Sequence, residues 1–507
     1  METNNRKDWA LKKLGDFADY EKGKKPKKQS SMQTDIFKYP YVNIQAFEKG
    51  IINSYTDGEK CNFCTENDFL MVWDGSRFGF VGKGIKGAIG STLMKINFPG
   101  IENHFAYYFL RSKYLEMNSK PKGTGTPHVN PELLWNYIFP IAPLPEQRAI
   151  ITKIELLFSD LDNGIANLKK AQEQLKIYRQ AVLKKAFEGE LSRKWREEQT
   201  VLPSAKELLQ QIKEEREKQY QKQLDEWKKA VKVWEDNGKE RKKPSRPKKP
   251  TEVLPLAEEE SVKLPELPEE NFWLKLGLLT LNVEYGTSAK SKKEGKVPVL
   301  RMGNIQNNCF VWNDLVYTDN KDEINKYLLK KGDVLFNRTN SPELVGKTAI
   351  YNGEKTAIFA GYLIRINQIH RLVNSNYLNY FLNSYTAKVH GNTVKTDGVN
   401  QSNINGEKLK NYLFPYFSLL EQNQIVSEIE TRLSVCDKLE VTIAEALQKS
   451  EALRQSILKK AFEGKLLNEK ELEEARNAPD WEPAEKLLER IKAEKEKIGN
   501  KKLEPIP

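Results

Sequence analysis

Apolar residues recur about every 3.6 positions through two long stretches of the chain, the spacing of one face of a helix. The first stripe is Ile154, Leu157, Leu161, Ile165, Leu168, Ala171, Leu175, Tyr178, Val182 and Ala186. The second is Ile425, Ile429, Leu433, Cys436, Leu439, Ile443, Leu447, Leu453, Ile457 and Ala461. The spacing predicts helices over 144–191 and 419–467, each roughly 65 Å long at 1.5 Å per residue, too long for the interior of one small domain. Each stripe therefore needs a partner, and the other helix is the nearest. Ile154, Leu161, Leu168, Leu175 and Val182 are expected to pack against Ile429, Leu433, Ile443, Leu447 and Ile457. Gly189 and Gly464, after matching Lys-Lys-Ala-Phe-Glu runs, read as helix C-terminal signals.

The two helices are copies. Residues 144–191 align with 419–466 at a shift of 275 with no gap, and 19 of 48 positions are identical. Solenoid repeats have far shorter periods, so this is a duplicated module. Each copy opens with a mixed region rich in glycine, aromatic and β-branched residues (1–143 and 271–418), continues through its helix and ends in charged helical sequence (192–270 and 468–507). Ala205-Lys206-Glu207-Leu208-Leu209 matches Ala484-Glu485-Lys486-Leu487-Leu488. The mixed regions correspond loosely. Leu14-Gly15 matches Leu276-Gly277, Asn43-Ile44-Gln45 matches Asn304-Ile305-Gln306, and Val81-Gly82-Lys83 matches Val345-Gly346-Lys347. The expected fold is α+β. Two mixed α/β domains are separated by two long helices that form an antiparallel coiled coil, under an internal pseudo-twofold repeat.

Bulk properties narrow the partner. A net charge of +12 and a pI near 9.1 favour a polyanion, and two similar halves suit duplex DNA. No signal-peptide core and no apolar run long enough to span a membrane are present, and four cysteines in 507 residues make no disulfide framework. The expectation is a cytoplasmic protein without a membrane role. Residues 192–250 carry 18 Lys/Arg against 11 Asp/Glu, +7 of the net charge. Their prolines mark an extended linker, read as a solvated tether, with contact to DNA phosphates as the alternative.

Chemistry-bearing motifs are scarce. Phe80-Val81-Gly82-Lys83-Gly84 fits an adenosylmethionine-site pattern, but the copy reads Leu344-Val345-Gly346-Lys347-Thr348 and loses the second glycine. A turn between two strands that displays a lysine explains both copies. Cys61-Asn62-Phe63-Cys64 lacks a second pair for zinc, and His104, His128, His370 and His390 have no metal or triad spacing. No catalytic or metal residue is assigned. What remains is a set of loops rich in the side chains that hold phosphates or pair with base edges. Candidates in the first copy are Lys24, Lys25, Ser76, Arg77, Lys83, Thr124 and Thr126. Those in the second are Ser288, Lys290, Lys292, Arg301, Asn304, Gln306, Arg338, Thr339, Asn340 and Lys347.

These features resemble the specificity subunit of type I restriction-modification systems. The likeness rests on the paired Leu-x-Glu-Gln entries at 144–147 and 419–422 and on the Lys-Lys-Ala-Phe-Glu-Gly ends at 184–189 and 459–464. It also rests on Gly332–Ser341 and Ala360-Gly361-Tyr362-Leu363. It departs at Asn67–Ser76 in the first copy. The resemblance implies two target-recognition domains that read a split, asymmetric DNA sequence, and a helix pair that sets the unread spacer. It implies a chain with no cofactor of its own, docked by two adenine-N6 methyltransferase subunits that carry adenosylmethionine, and by restriction subunits that use ATP and magnesium. The competing classes are a chain with its own methylating or cleaving activity and a coiled-coil scaffold without a DNA role.

Overall fold

The computed structural model describes residues 7–123, 125–239, 243–252, 256, 260, 262, 264–399 and 401–501. The chain forms two compact units, Met1–Lys170 with Ile443–Pro507, and Ala171–Thr442. This division cuts across chain order. Each unit holds one mixed domain, the first part of the long helix that follows it, and the last part of the other long helix. The helices run Leu144–Phe187 and Leu419–Phe462, shorter at the C-terminal end than the periodicity suggests. Both stop for the same reason. Gly189 and Gly464 adopt left-handed φ of 75° and 70°. Glu190 N then donates to Lys185 O, and Lys465 N to Lys460 O, closing a Schellman motif on the last carbonyls.

In the first unit a four-stranded antiparallel sheet has the order Asp19–Lys22, Leu93–Asn97, Phe69–Val72, Val81–Lys83. Strand Phe69–Val72 is buried on both faces, which is why it reads as an unbroken apolar run. Successive side chains alternate. Phe69 and Met71 enter the main core with Phe98, Phe105 and Phe139, while Leu70 and Val72 enter a smaller core with Val42, Ile89 and Leu93. That smaller core is organised around a parallel pairing of Tyr41-Val42 with Ala88-Ile89. The main core also takes Ile457, Leu458 and Phe462 from the end of the second long helix, and Ala484, Leu487 and Ile491 from tail helix Ala484–Lys501. The two helical segments are antiparallel here: Arg454 pairs with Asp162 and lies 5.0 Å over the Phe158 ring.

The second unit repeats this topology. Its sheet order is Thr280–Tyr285, Leu363–Gln368, Val334–Asn337, Thr348–Ile350, and Val299-Leu300 pairs in parallel with Ile358-Phe359. Phe187 closes its core, 5.2 Å from both the Tyr377 and Phe381 rings. Leu208 and Ile212 of helix Ala205–Asp236 enter the same core, as Leu487 and Ile491 of the matching tail helix enter the first. Arg179 reaches Asp437 at 2.6 Å and Glu440 at 3.1 Å, so this helical pair is antiparallel too.

The Leu-x-Glu-Gln entries prove to be structural clamps. Gln147 Nε2 donates to Ala142 O (2.7 Å) and its Oε1 accepts from Glu102 N (2.9 Å). Gln422 does the same with Phe417 O (2.9 Å) and Asn374 N (3.0 Å). Each glutamine thereby ties its helix to the chain just before it and to the start of a domain helix.

Four readings are corrected. First, of the apolar stripe, Ile154, Val182, Ile429, Ile443 and Ile457 are buried, and Leu161, Leu168, Leu175, Leu433 and Leu447 are half-buried. Tyr178, Leu439 and Leu453 are about half exposed. A two-helix seam is narrower than the amphipathic face and leaves its flank open. Second, the Val-Gly-Lys match is out by three residues. Gly79 N donates to Val72 O and Val72 N to Phe80 O, as Gly346 N donates to Asn337 O and Asn337 N to Lys347 O. Lys347 therefore corresponds to Phe80, and Val81–Lys83 is itself a strand, not a turn. Third, Asn43 corresponds to Arg301, because Gly90 N donates to Val42 O as Ala360 N does to Leu300 O. Fourth, the described linker residues 243–252 are not a solvated tether. Trp227 Nε1 donates to Pro244 O (2.9 Å) and Arg216 Nη2 to Thr251 Oγ1 (3.2 Å), so this segment lies back along helix Ala205–Asp236.

Candidate nucleic-acid interface

One end of each four-stranded sheet gathers three loops. A close crossing fixes the first. Strand Asp19–Lys22 runs into Gly23, whose N–H donates to Leu93 O, and Lys24 N donates to Ile89 O. Gly286 and Thr287 make the same two bonds to Leu363 O and Phe359 O. A Cβ on Gly23 would stand 2.1 Å from Gly90 O, and one on Gly286 2.3 Å from Phe359 O, so only glycine passes. The residues that follow, Lys24 and Lys25 in one unit and Ser288 and Lys290 in the other, are exposed.

The second loop follows the doubly buried central strand. In the first unit it is Trp73–Arg77, and Lys22 Nζ ties it to the first loop through Asp74 at 3.0 Å. Ser76 is exposed. Arg77 is held by Glu48 at 3.0 Å and by the Phe80 ring at 4.3 Å. In the second unit the loop starts at Arg338, whose Nε donates to Gly361 O (2.8 Å) while its guanidinium lies 5.0 Å over the half-exposed Tyr285 ring. These contacts leave an arginine aimed from a rigid support, the preorganisation a recognition side chain needs.

The third loop carries the candidates Thr124 and Thr126 in the first unit, while its counterpart in the second unit holds none of the candidates. His128 bridges Asp74, and Gly75 N donates to Pro127 O. In the second unit Thr339-Asn340 pairs with Ser402-Asn403, which pairs in turn with Thr396-Asp397. Thr339 Oγ1 accepts from Asn403 Nδ2 at 2.7 Å. A signal existed. The 275-residue shift of the long helices extends back to Asn130 and Asn405, which cap the short helices beginning at Pro131 and Gly406.

The structure sorts the remaining candidates. Thr126 is exposed on the third loop; Thr124 lies outside the described residues. Lys292 is joined to Asp319 at 3.2 Å. Asn340 accepts from Ser341 N at 2.8 Å. Lys347 stands at the return of the second loop beside Lys388, which burial and then the Lys347 charge hold below the ordinary lysine range. Three candidates are not presented to a ligand by this end of the sheet. Lys83 pairs with Phe69 at the opposite end of the central strand. Asn304 is buried, with its amide spent on Arg301 N, Val311 O and Asn313 O. Arg301 is turned onto Asp314. Gln306 is exposed and donates to Gly303 O. The site therefore offers cations, hydroxyls and amides on three linked loops, with different residues in the two units. Among the described residues no three His, Cys, Asp or Glu side chains gather as a metal site. Cys64 is buried, which pushes its thiol up to about 11, and it donates to Ile85 O.

A family model described as the type I restriction modification DNA specificity domain matches residues 6–176 and 283–449, more than half of the chain. The chain is 33% identical over 183 residues to the MjaVIII specificity subunit of Methanocaldococcus jannaschii, a match covering 36% of this chain and 42% of that subunit. It is 26% identical over 417 residues to the EcoKI specificity subunit of Escherichia coli K12, covering 80% and 74%. Among solved structures, a chain from work on assembly and conformational transition of the type I R-M system aligns with a TM-score of 0.60 at 16% identity, covering 90% of this chain and 98% of that one. The HsdS subunit from Thermoanaerobacter tengcongensis aligns at 0.50 and 16%, covering 90% and 97%. At such identity the likeness is one of fold.

Proposed function

Since the chain belongs to the type I restriction-modification DNA specificity family, we propose that it reads a bipartite, asymmetric DNA target, one half with each three-loop cluster. The observation that supports this is the combination of one scaffold with two contents. The same glycine crossing and the same strand order carry Trp73–Arg77 in one unit and Arg338–Ser341 in the other. Shared geometry suits a shared ligand, and different side chains suit different base edges.

In this reading the long helices set the unread spacer and dock two adenine-N6 methyltransferase subunits and, for restriction, translocating subunits. Exposed Leu156 and Ile177 on the first helix, and Leu420, Val435 and Val441 on the second, are the apolar surface such partners would cover. Adenosylmethionine, ATP and magnesium belong to those partners, and this chain binds none of them and performs no covalent step. No described helix is long and apolar enough to cross a membrane, and the complex works in the cytoplasm.

The test is exchange of residues 1–143 for the matching domain of a relative with another target. The bases methylated by the assembled complex should change in one half of the target only. Changed bases in both halves would refute independent reading.

A further inference from the structure

The chain between the two copies carries a feature that neither copy contains. Helix Ala205–Asp236 has eight Lys/Arg and eight Asp/Glu, so it is neutral as a whole. The excess of charge lies in the strap that returns along it. There, Pro244, Pro247 and Pro250 recur at the three-residue period of a polyproline II helix. All three are half-buried against the helix side, while Ser245, Arg246, Lys248 and Lys249 between them are exposed. Trp227 anchors the strap through Pro244 O, and Arg246 lies 5.9 Å over its ring. Lys243 lies 5.7 Å over Trp234. Lys243 and Arg246 thus lie against tryptophan rings while staying exposed, and Lys248 and Lys249 make no ring contact among the described residues.

Those cations are not consumed in close ion pairs, although the Lys248 charge acts on Glu407 at longer range. Lys243, Arg246, Lys248 and Lys249 form no ion pair among the described residues, although cations nearby do: Lys275 pairs with Glu260 and Lys410 with Glu407. Four like charges within seven residues of a stiff segment repel one another, a cost that a flexible tether would avoid by spreading out. Their placement supplies a reason. Lys248 and Lys249 line a cavity of about 700 Å³ with Glu252, Glu260 and, from the helix Gly406–Lys410, Glu407 and Lys410. On that same short helix Lys408 Nζ donates to Thr396 Oγ1 of the third recognition loop, at 2.6 Å. The cavity is also lined by Thr280 and Ile369, at the end of the sheet opposite the Gly286 crossing, so this helix lies between the strap and the loop cluster.

We propose that the proline strap Lys243–Pro250 is a second, sequence-independent DNA contact, a rail of fixed cations that holds phosphates of the duplex flanking the half-target read by the second unit. This rests on the DNA-reading function proposed above. A stiff line of unpaired cations suits a regular line of phosphates, and it carries no base-reading geometry, so it should add affinity without adding discrimination.

The test uses the full chain assembled with its methyltransferase partner. Binding is titrated against salt for two duplexes of equal length, one with the methylated target and one scrambled. The variant Lys243→Gln, Arg246→Gln, Lys248→Gln, Lys249→Gln is compared with Lys218→Gln, Lys222→Gln on the neutral helix. All six positions are at the surface, and circular dichroism checks that both variants fold.

The strap variant should bind both duplexes on the order of tenfold or more weakly at low salt. Its salt slope should be shallower by roughly two to four, with the ratio of target to scrambled binding kept. The helix variant should match the unchanged protein. Equal slopes for strap variant and unchanged protein would overturn the proposal and leave the DNA-reading function standing. Loss of partner assembly with unaltered DNA binding would also overturn it, and would assign the strap to an acidic protein surface. Absence of any target preference in the unchanged complex would instead sink the reading on which the proposal rests.

Discussion

Replacing Phe462 by alanine is expected to destabilise the first unit by about 3–5 kcal/mol, the usual cost of deleting a buried aromatic ring. Phe462 is the last residue of the second long helix, yet its ring lies 5.1 Å from Phe105 and 5.3 Å from Phe109, in a core built largely from the first mixed domain. Little can move to fill the space, because Phe139 is already packed 4.9 Å from Phe109. Phe187→Ala should cost the second unit a similar amount through Tyr377 and Phe381. The informative readout is hydrogen exchange. Phe462→Ala should lower protection first in strands Phe69–Val72 and Leu93–Asn97, and Phe187→Ala first in Val334–Asn337 and Leu363–Gln368. Loss of protection in the opposite unit would mean that the helix ends are assigned to the wrong cores.

The second large effect concerns the glutamates of the helix entries. Glu421 is 2% exposed and accepts from Ser192 Oγ at 2.7 Å and from the Arg196 guanidinium. Arg196→Met leaves a buried carboxylate with one hydroxyl, and a broken buried pair costs about 3–5 kcal/mol. Adding Glu421→Gln should recover much of the loss, since the remaining group no longer carries a charge. The equivalent contact in the first unit is weaker by geometry. Arg476 is partly exposed and 3.6 Å from Glu146, whose carboxylate is also held by Trp9 Nε1 at 2.7 Å. Glu146 is buried but keeps the indole N–H groups of Trp9 and Trp481, so Arg476→Met should cost less, about 1–2 kcal/mol. Chemical denaturation of the three variants checks the order, and equal losses for Arg196→Met and Arg476→Met would contradict it.

The parts of this fold that were legible in the sequence are those written in regular patterns. The long helices show because their apolar step is periodic and because 19 of 48 positions repeat. Their stops show because a left-handed C-terminal position selects glycine at 189 and 464. Strand pairing in the mixed domains was harder. Val-Gly-Lys occurs twice at similar places, but register is set by hydrogen bonds at Gly79 and Gly346, and short tripeptides do not encode it. Residue type alone also misplaced part of the site. An asparagine can read adenine or cap its own backbone, and Asn304 does the second. Tyr178, Leu439 and Leu453 belong to the periodic stripe yet stand outside the seam, since periodicity marks the face of a helix and not how wide a partner covers it. The three-residue recurrence of Pro244, Pro247 and Pro250 was visible, but its packing partner Trp227 lies 17 residues before Pro244, and no local pattern joins them.

In the proposed function this chain carries the sequence information for a methyltransferase partner. Adenine methylation mapped along the DNA of cells that express the chain with its methyltransferase, and of cells that express the methyltransferase alone, tests it most directly. The expected result is a split, asymmetric motif that appears only when the chain is present. The absence of any motif while both proteins are soluble and associated, or the same motif without the chain, would contradict the account.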